Sequence, residues 1–464
     1  MPESDYEYDL LVLGCGPAGQ KAALAVAKLK KKVAIIEPRF LGGVCTNTGT
    51  MPSKTLREAA IQLTNYRLRF VGTAFKDCLK MADLVKRVNW VIRHETEVIE
   101  EQLRRNGIEI LPGYGKFKNG NTINIFDNSG KLLREVRTKF SVICSGTAPF
   151  LPENVPFDGR SIFYTDNVLS IKELPASITI VGGGIIGMEF CSIFSILGIR
   201  INVVEKRPEI LAFVDRDIRT NLISQLDVRN TQFFLNDSVA SIRKTKDDHV
   251  EIRLDSGKSI LSQMALFCTH RVVATGDLGL NKVKVDVDER GMIVVNDFYQ
   301  TSNKRIYAAG DVVGHPQLAS TSFEQGRIAG THAFRKKVPP MSAHFPVGIY
   351  TIPEISFVGP TEEQLSAEHI PYSIGKSFFK ESSRGVIMGA LDGMLKLIFH
   401  QESKKLLAVH VIGENATELV HLGQAVIEFG GTIDYFIDNV FNHPTLAETY
   451  KYAALSGLNR MNDV

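Results

Sequence analysis

The run Gly182-Gly183-Gly184-Ile185-Ile186-Gly187 decides the fold, because it restates Gly14-Cys15-Gly16-Pro17-Ala18-Gly19 from the start of the chain. Each glycine lies 168 residues after its counterpart: 182 against 14, 184 against 16, 187 against 19. Both copies follow a short apolar run that reads as a strand, Leu10 to Leu13 and Ile178 to Val181, and both open a helical stretch, the first reaching about Lys30. A second strand then ends in an acid, Val33 to Ile36 before Glu37 and Ile201 to Val204 before Glu205, again 168 apart. This is the βαβ dinucleotide fingerprint. One glycine makes the tight turn, one admits the pyrophosphate to the backbone, one lets helix pack on strand, and the acid holds ribose hydroxyls. The helix N-terminus offers free N–H groups and a positive dipole end to the phosphates. A lone glycine pattern is weak, but two independent accidents at one offset are implausible. The chain is therefore read as carrying two dinucleotide sites, lined by Gly14, Gly16, Gly19 and Glu37 and by Gly182, Gly184, Gly187 and Glu205.

Outward from these units, Phe140 to Cys144 reads as a buried strand, broken by Ser145-Gly146-Thr147-Ala148-Pro149 where the first domain hands over to the second. Gly146 belongs to that turn and to the expected cofactor-binding set. Arg305 to Ala309 is a short strand ending in Gly310-Asp311, with a helical stretch from about Ser322 to Phe334 behind it. An acid at a strand tip in a doubly wound sheet points to the ligand crevice; alone, Asp311 also suits a helix or turn cap. After the linker Arg335 to Pro340, alternating runs at Leu395 to Phe399 and Leu406 to Ile412 predict an antiparallel sheet, with helices near Ala416 to Phe429 and Thr445 to Leu458. The expected architecture is α/β: two Rossmann-like domains, at 1–150 and 151–275, a segment at 276–338 returning to the first, and a C-terminal α+β interface domain at 339–464.

Composition narrows the function. The 464 residues are 44% hydrophobic and 23% charged, close to soluble globular averages. Lys and Arg number 54 against 51 Asp and Glu, a net charge of +3 that gives no reason to expect nucleic acid or a membrane surface as partner. The basic run Lys28 to Lys32 is read as a solvated helix face. The six cysteines, Cys15, Cys45, Cys78, Cys144, Cys191 and Cys268, lack metal-ligand spacing, so no metal is expected and reduced cytosolic thiols are the default. Glu3, Asp5, Glu7 and Asp9 contradict a signal peptide, and no apolar stretch reaches the ~20 residues of a membrane span. A cytoplasmic location is expected.

These motifs, with Gly42-Gly43-Val44-Cys45-Thr46-Asn47-Thr48-Gly49-Thr50-Met51-Pro52-Ser53-Lys54 and Asn442-His443-Pro444-Thr445 before Glu448, resemble the flavoproteins with two dinucleotide-binding domains. Dihydrolipoamide dehydrogenase, glutathione reductase and mercuric reductase belong to that family, and the resemblance covers essentially the whole chain. It implies FAD in the first fold, NAD(P)H in the second, and a homodimer or larger homo-oligomer built through the C-terminal domain. The disulfide reductases of the family carry a second cysteine where this chain has Thr50. That position is the flavin-proximal one, so the thiol that relays electrons to a disulfide is missing; Cys45, kept in the cofactor-binding set, is read as an inert buried thiol in preference to one that cycles through a sulfenic acid.

Electrons then need another exit, and the simplest lies back through the nicotinamide site. The pattern resembles a branch of the family that passes hydride between NADPH and NAD⁺ with FAD as shuttle, and the wording of Gly348 to Ser356 and of Leu211 to Asp215 resembles it too. A quinone or oxygen acceptor, or a non-catalytic flavoprotein, are the alternatives. By resemblance, Lys54 lies near the flavin and Glu189 pairs with it, while His443 and Glu448 match the partner-subunit acid/base pair, here read as interface structure or a proton site. Use of both NAD(H) and NADP(H) asks for an acid to hold a 2′-hydroxyl and a base to accept a 2′-phosphate. Glu205, Lys206 and Arg207 supply both. At Cys268-Thr269-His270-Arg271 the chain departs from the family's Gly-Arg-x-Pro, and no nucleotide contact is carried over there.

Overall fold

The computed structural model describes residues 6–66, 81–335 and 337–462; Cys78, Glu3 and Asp5 lie outside them. The first βαβ unit is β1 (Tyr8–Leu13), α1 (Pro17–Ala27) and β2 (Val33–Glu37). Leu10 and Val12 pack into one core cluster while Leu11 and Leu13 pack into another, which is why β1 is apolar without a break: both faces of this parallel sheet are covered. Helix α1 starts at Pro17, whose fixed φ suits a first turn. It ends at Ala27 rather than Lys30. Lys30 takes a φ of 58°, and Lys28, Lys30, Lys31 and Lys32 are exposed in the turn that follows, so the basic run is a loop and not a helix face.

The chain continues through α2 (Gly43–Asn47), α3 (Thr50–Tyr66), α4 (Met81–Arg105), β3 (Glu109–Pro112), β4 (Tyr114–Asn119), β5 (Thr122–Phe126), β6 (Leu132–Ile143) and β7 (Thr147–Pro149). The second βαβ unit follows β8 (Ile162–Tyr164) and consists of β9 (Ser177–Val181), α5 (Ile185–Ile196) and β10 (Arg200–Glu205). Next come α6 (Arg216–Asp227), β11 (Thr231–Leu235), β12 (Val239–Lys244), β13 (Val250–Leu254), β14 (Ser259–Ser262) and β15 (Met264–Phe267). Then β16 (Arg271–Val273), β17 (Ile306–Ala308) and α7 (Ala319–Phe334) return towards the first fold. The last stretch holds β18 (Val347–Ile349), β19 (Glu354–Val358), α8 (Glu362–Ala367), β20 (Tyr372–Phe378), α9 (Ser383–Met388), β21 (Met394–His400), β22 (Leu406–Gly413), α10 (Ala416–Glu428), α11 (Asp434–Asp438) and α12 (Glu448–Asn462).

These elements form two compact units. The first comprises Met1–Leu56, Asp83–Leu151 and His270–Ser342. Its sheet runs β3-β2-β1-β6-β5-β4, with β17 parallel to β6, and a ribbon pairs β7 with β16. Helix α7 lies against α1 because glycines remove the side chains between them. A Cβ at Gly326 would sit 2.0 Å from the Ala18 carbonyl oxygen, and one at Gly330 would sit 2.7 Å from that of Ala22.

The second unit comprises Arg57–Ala82, Pro152–Thr269 and Ala343–Val464. It contains a parallel sheet, β11-β10-β9-β15-β8, a three-stranded antiparallel sheet, β12-β13-β14, and the antiparallel sheet β18-β19-β22-β21-β20 against α10 and α12. Helix α12 begins at Glu448, three residues later than the pattern predicts. The Glu448 carboxylate accepts the Thr445 N–H at 3.0 Å and so turns the chain before the helix starts.

Candidate active site

The two glycine loops are near copies in three dimensions. Gly14 and Gly182 take φ of 105° and 115°, the left-handed region open to glycine. A Cβ at either would strike the carbonyl just past the end of a neighbouring strand, Cys144 O at 2.3 Å and Cys268 O at 2.4 Å. At Gly19 and Gly187 a Cβ would fall 1.9 Å from the carbonyl oxygens of Gly14 and Gly182, so helix and turn meet only through glycine. Gly16 and Gly184 differ in kind. Nothing lies within 4 Å of a Cβ there, and each is the extended N-cap of its helix with no side-chain cap. The first-turn N–H groups of α1 and α5 are thus left for a ligand, beside open space where backbone can approach it. This donor set fits the pyrophosphate of a dinucleotide at both places.

Each strand-end acid is bound into its own loop. Glu37 accepts the Cys15 N–H at 2.7 Å through Oε2 and those of Arg39 and Phe40 through Oε1. Glu205 accepts the Gly183 N–H at 2.6 Å through Oε2 and the Arg207 N–H at 3.0 Å through Oε1. The Arg207 guanidinium also closes on it, Nε to Oε1 at 2.9 Å and Nη2 to Oε2 at 3.2 Å, while Lys206 is exposed. Burial pushes the Glu205 carboxyl up, but the bonds from Arg207 and Gly183 outweigh it and hold the group below the usual carboxylate range. The sequence pattern treats Glu205 and Arg207 as separate contacts for a hydroxyl and a phosphate; in the structure they are one ion pair.

In the first unit, Cys45 sits in α2 and Thr50 opens α3, with Lys54 one turn on. Burial pushes the Cys45 thiol up, and neither its hydrogen bond with Thr50 nor the nearby Lys54 charge offsets that, so the sulfur stays protonated at neutral pH. Cys45, Cys15, Cys144, Cys191 and Cys268 are all free thiols. Burial drives Cys15 and Cys191 up to about 12. Lys54 Nζ donates to Ser53 Oγ at 3.4 Å. Gly310, at φ 86°, precedes Asp311, whose carboxyl is raised by burial and accepts the Thr147 hydroxyl at 3.2 Å. Gly146, at φ 66°, has open space around it and its carbonyl accepts the Ala274 N–H. Arg271 donates to the Thr147 hydroxyl at 2.9 Å, and His270 stacks on Phe150 at 4.2 Å between ring centroids, so the departure at His270 is absorbed within the β7–β16 ribbon.

In the second unit, Glu189 on α5 is 3% exposed and accepts the Tyr350 N–H at 2.9 Å. Sequence spacing does not predict that contact, which holds the Gly348 to Ser356 stretch at Tyr350. The same stretch is fixed by Arg57, which donates to the Thr351 carbonyl at 3.0 Å and pairs with Glu354 at 3.2 Å. His443 Nδ1 meets Glu448 at 3.0 Å, and the ring is 64% exposed. The Thr445 amide and the His443 ring hold Glu448 below the usual carboxylate range. Among the described residues, the group with metal-like spacing is Asp215, Asp217 and Glu362, and it surrounds the Lys396 ammonium.

Comparison with known proteins agrees with this geometry. Residues 8–326 match the family model for pyridine nucleotide-disulphide oxidoreductases, and residues 345–454 match the dimerisation domain of the same family. The chain is 43% identical over 459 residues to a soluble pyridine nucleotide transhydrogenase of Mycobacterium tuberculosis, covering 98% of each chain. It is 40% identical to one from Marinomonas sp., covering 98% of this chain and 99% of the relative. Among solved structures, LpdA from Mycobacterium tuberculosis superposes with a TM-score of 0.89 at 24% identity, over 96% of this chain and 98% of that one. The flavoprotein disulfide reductase RclA from Escherichia coli gives 0.87 at 25%, over 97% and 99%. No helix among the described residues is long and apolar enough to cross a membrane. With two dinucleotide loops, the Cys45 to Lys54 segment and a matching C-terminal domain, the chain belongs to the pyridine nucleotide-disulphide oxidoreductases.

Proposed function

We propose that this protein transfers hydride between NADPH and NAD⁺ through bound FAD, as a soluble pyridine nucleotide transhydrogenase of the cytoplasm acting as a homodimer. The observation that carries the reading is Thr50, which leaves Cys45 a protonated thiol with no partner sulfur at the position of the family's second cysteine. A Cys45–Thr50 motif with one thiol cannot store an electron pair as a dithiol, so a pair received from one nicotinamide must leave by another acceptor. Relatives at 43% and 40% identity carrying the transhydrogenase name support a second nucleotide as that acceptor.

Bound FAD would supply a two-electron carrier that takes hydride from one nicotinamide and yields it to the next. The chain's own part is binding and electrostatics. Gly14, Gly16 and Gly19 with the first turn of α1 would hold the FAD pyrophosphate, Glu37 a ribose, and Gly146, Gly310 and Asp311 the approach to the rest of the cofactor. Lys54 would offer a positive charge to the electron density that arrives with the hydride. Gly182, Gly184 and Gly187 would bind either nicotinamide nucleotide, with Glu205, Lys206 and Arg207 at its adenosine ribose. Glu189, its carboxylate oriented by the Tyr350 amide, would be the acid of the second unit that pairs with Lys54. His443, oriented by Glu448, would serve the subunit interface.

The test is reduction of thio-NAD⁺ by NADPH with purified yellow protein, without disulfide substrate and with a quinone in parallel. Rapid transfer at catalytic protein concentration is expected. Turnover with the quinone and none with thio-NAD⁺ would replace this reading with that of a quinone reductase.

A further inference from the structure

An acid that is to hold a ribose 2′-hydroxyl needs a carboxylate acceptor site to spare. A carboxylate has about four such sites on its two oxygens. On Glu205 four donors fill them: Gly183 N and Arg207 Nη2 at Oε2, Arg207 N and Arg207 Nε at Oε1. Two of these are backbone amides fixed by the loop. The other two belong to a single guanidinium whose side chain is 46% exposed, against 5% for Glu205.

The molecule contains its own control. Glu37 occupies the equivalent place in the first fingerprint and Arg39 the place of Arg207, both at the 168-residue offset. Glu37 accepts the Cys15, Arg39 and Phe40 amides, yet Arg39 gives it a backbone N–H and no guanidinium bond. One acceptor site is therefore left on Glu37 for a ribose hydroxyl, and none on Glu205 while Arg207 lies where it does. The two loops agree in their glycines and in two backbone bonds to the acid; they differ at the third, which Phe40 gives Glu37 and Pro208, lacking an N–H, withholds from Glu205, and in this side chain.

We propose that Arg207 is a selector that switches the second site between the two nucleotides, an inference that rests on the transhydrogenase reading above. Closed on Glu205, Arg207 neutralises the acid and leaves its Nη1, with the exposed Lys206, to meet a 2′-phosphate; this is the NADP(H) state. Swung out, it uncovers an acceptor site on each oxygen of Glu205 for a 2′-hydroxyl; this is the NAD(H) state. A site that must take both nucleotides in turn thereby avoids holding a bare carboxylate against a phosphate.

The test uses FAD-loaded enzyme, Arg207→Ala and Arg207→Lys, with 2′,5′-ADP and 5′-ADP-ribose as probes in titration calorimetry, beside the thio-NAD⁺ assay. For Arg207→Ala the dissociation constant of 2′,5′-ADP should rise roughly tenfold or more, as expected for loss of a charge-assisted contact. That of 5′-ADP-ribose should stay level or fall, because Glu205 is unmasked. Arg207→Lys keeps the charge without the bidentate fit and should fall between the two. Equal weakening of both probes, or no change in either, overturns the selector while leaving the function untouched. Selective loss of 2′,5′-ADP in an enzyme that moves no hydride between nucleotides would instead keep Arg207 as a phosphate contact and overturn the transhydrogenase reading, and the selector with it.

Discussion

Replacing Lys396 with methionine should cost more stability than any surface change, and the structure says how much. Lys396 stands on β21 with its side chain 1% exposed. Its ammonium donates to Asp215 at 2.8 and 2.9 Å, to Asp217 at 2.7 Å and to Glu362, while Lys376 reaches Asp217 at 2.7 Å. Asp215 is fully buried and also caps α6 by accepting the Asp217 N–H at 3.0 Å. Methionine would leave a buried carboxylate without its cation, a loss of about 3–5 kcal/mol for breaking such a pair from one side. For a unit of this size that corresponds to a fall in Tm of about 6–20 °C.

Asp215→Asn is the milder break. It keeps an acceptor for the cap and leaves Lys396 two carboxylates, for a cost of roughly 1–3 kcal/mol. The double variant should then cost less than the sum of the singles. Calorimetry of FAD-loaded protein at one fixed concentration reads all three. The pH dependence has a defined sign. Burial raises the Asp217 carboxyl, but Lys376 and Lys396 more than compensate and hold it low in the folded state. Its stabilisation is therefore full above the unfolded value of about 4 and is lost as pH falls through the folded one. The penalty of Lys396→Met should shrink over the same window. A Tm within about 3 °C of the parent at pH 7, or strictly additive singles, would refute the reasoning.

Gly184→Ala meets nothing within 4 Å at an allowed φ of −81°, so it should leave Tm unchanged while raising KM for both nicotinamide nucleotides; unchanged KM would move the ligand away from that loop. Gly326→Ala would press a Cβ to 2.0 Å from the Ala18 carbonyl and force α7 off the helix whose N-terminus is the proposed FAD site. It should cost about 1–3 kcal/mol or more and yield protein that loses its yellow colour on gel filtration. Cys45→Ser should keep hydride transfer largely intact, and complete inactivation with flavin still bound would return a thiol to the mechanism.

The parts of this molecule that were legible in the sequence are those where backbone geometry dictates a residue type. Gly14 and Gly182 carry positive φ, Gly19 and Gly187 admit no Cβ, and Gly16 and Gly184 face open space, so each fingerprint spells out its own three-dimensional reason. The long apolar runs of β1 and β9 are likewise the mark of sheets covered on both faces. What was not legible depends on side chains that meet across sequence. Lys396, between Leu395 and Leu397, has the pattern of an outward residue on a half-buried strand, and its three acids sit at 215, 217 and 362. Glu189 is singled out by resemblance alone, and its bond from the Tyr350 amide, 161 residues away, is not encoded in the spacing. The pairing of Arg207 with Glu205 is a choice of rotamer, and spacing does not encode it. The ends of α1 and the start of α12 shifted for local reasons, a left-handed Lys30 and a capping Glu448.

On the proposed function, electrons enter and leave by nucleotides because Thr50 has removed the second thiol. Anaerobic titration with NADPH, followed by addition of NAD⁺, tests it most directly. Full bleaching of the flavin by about one equivalent of NADPH per FAD, and return of the oxidised spectrum with formation of NADH, is the predicted result. Uptake of a second equivalent before bleaching is complete, or reduced flavin that survives NAD⁺ and yields only to a quinone or oxygen, would contradict it.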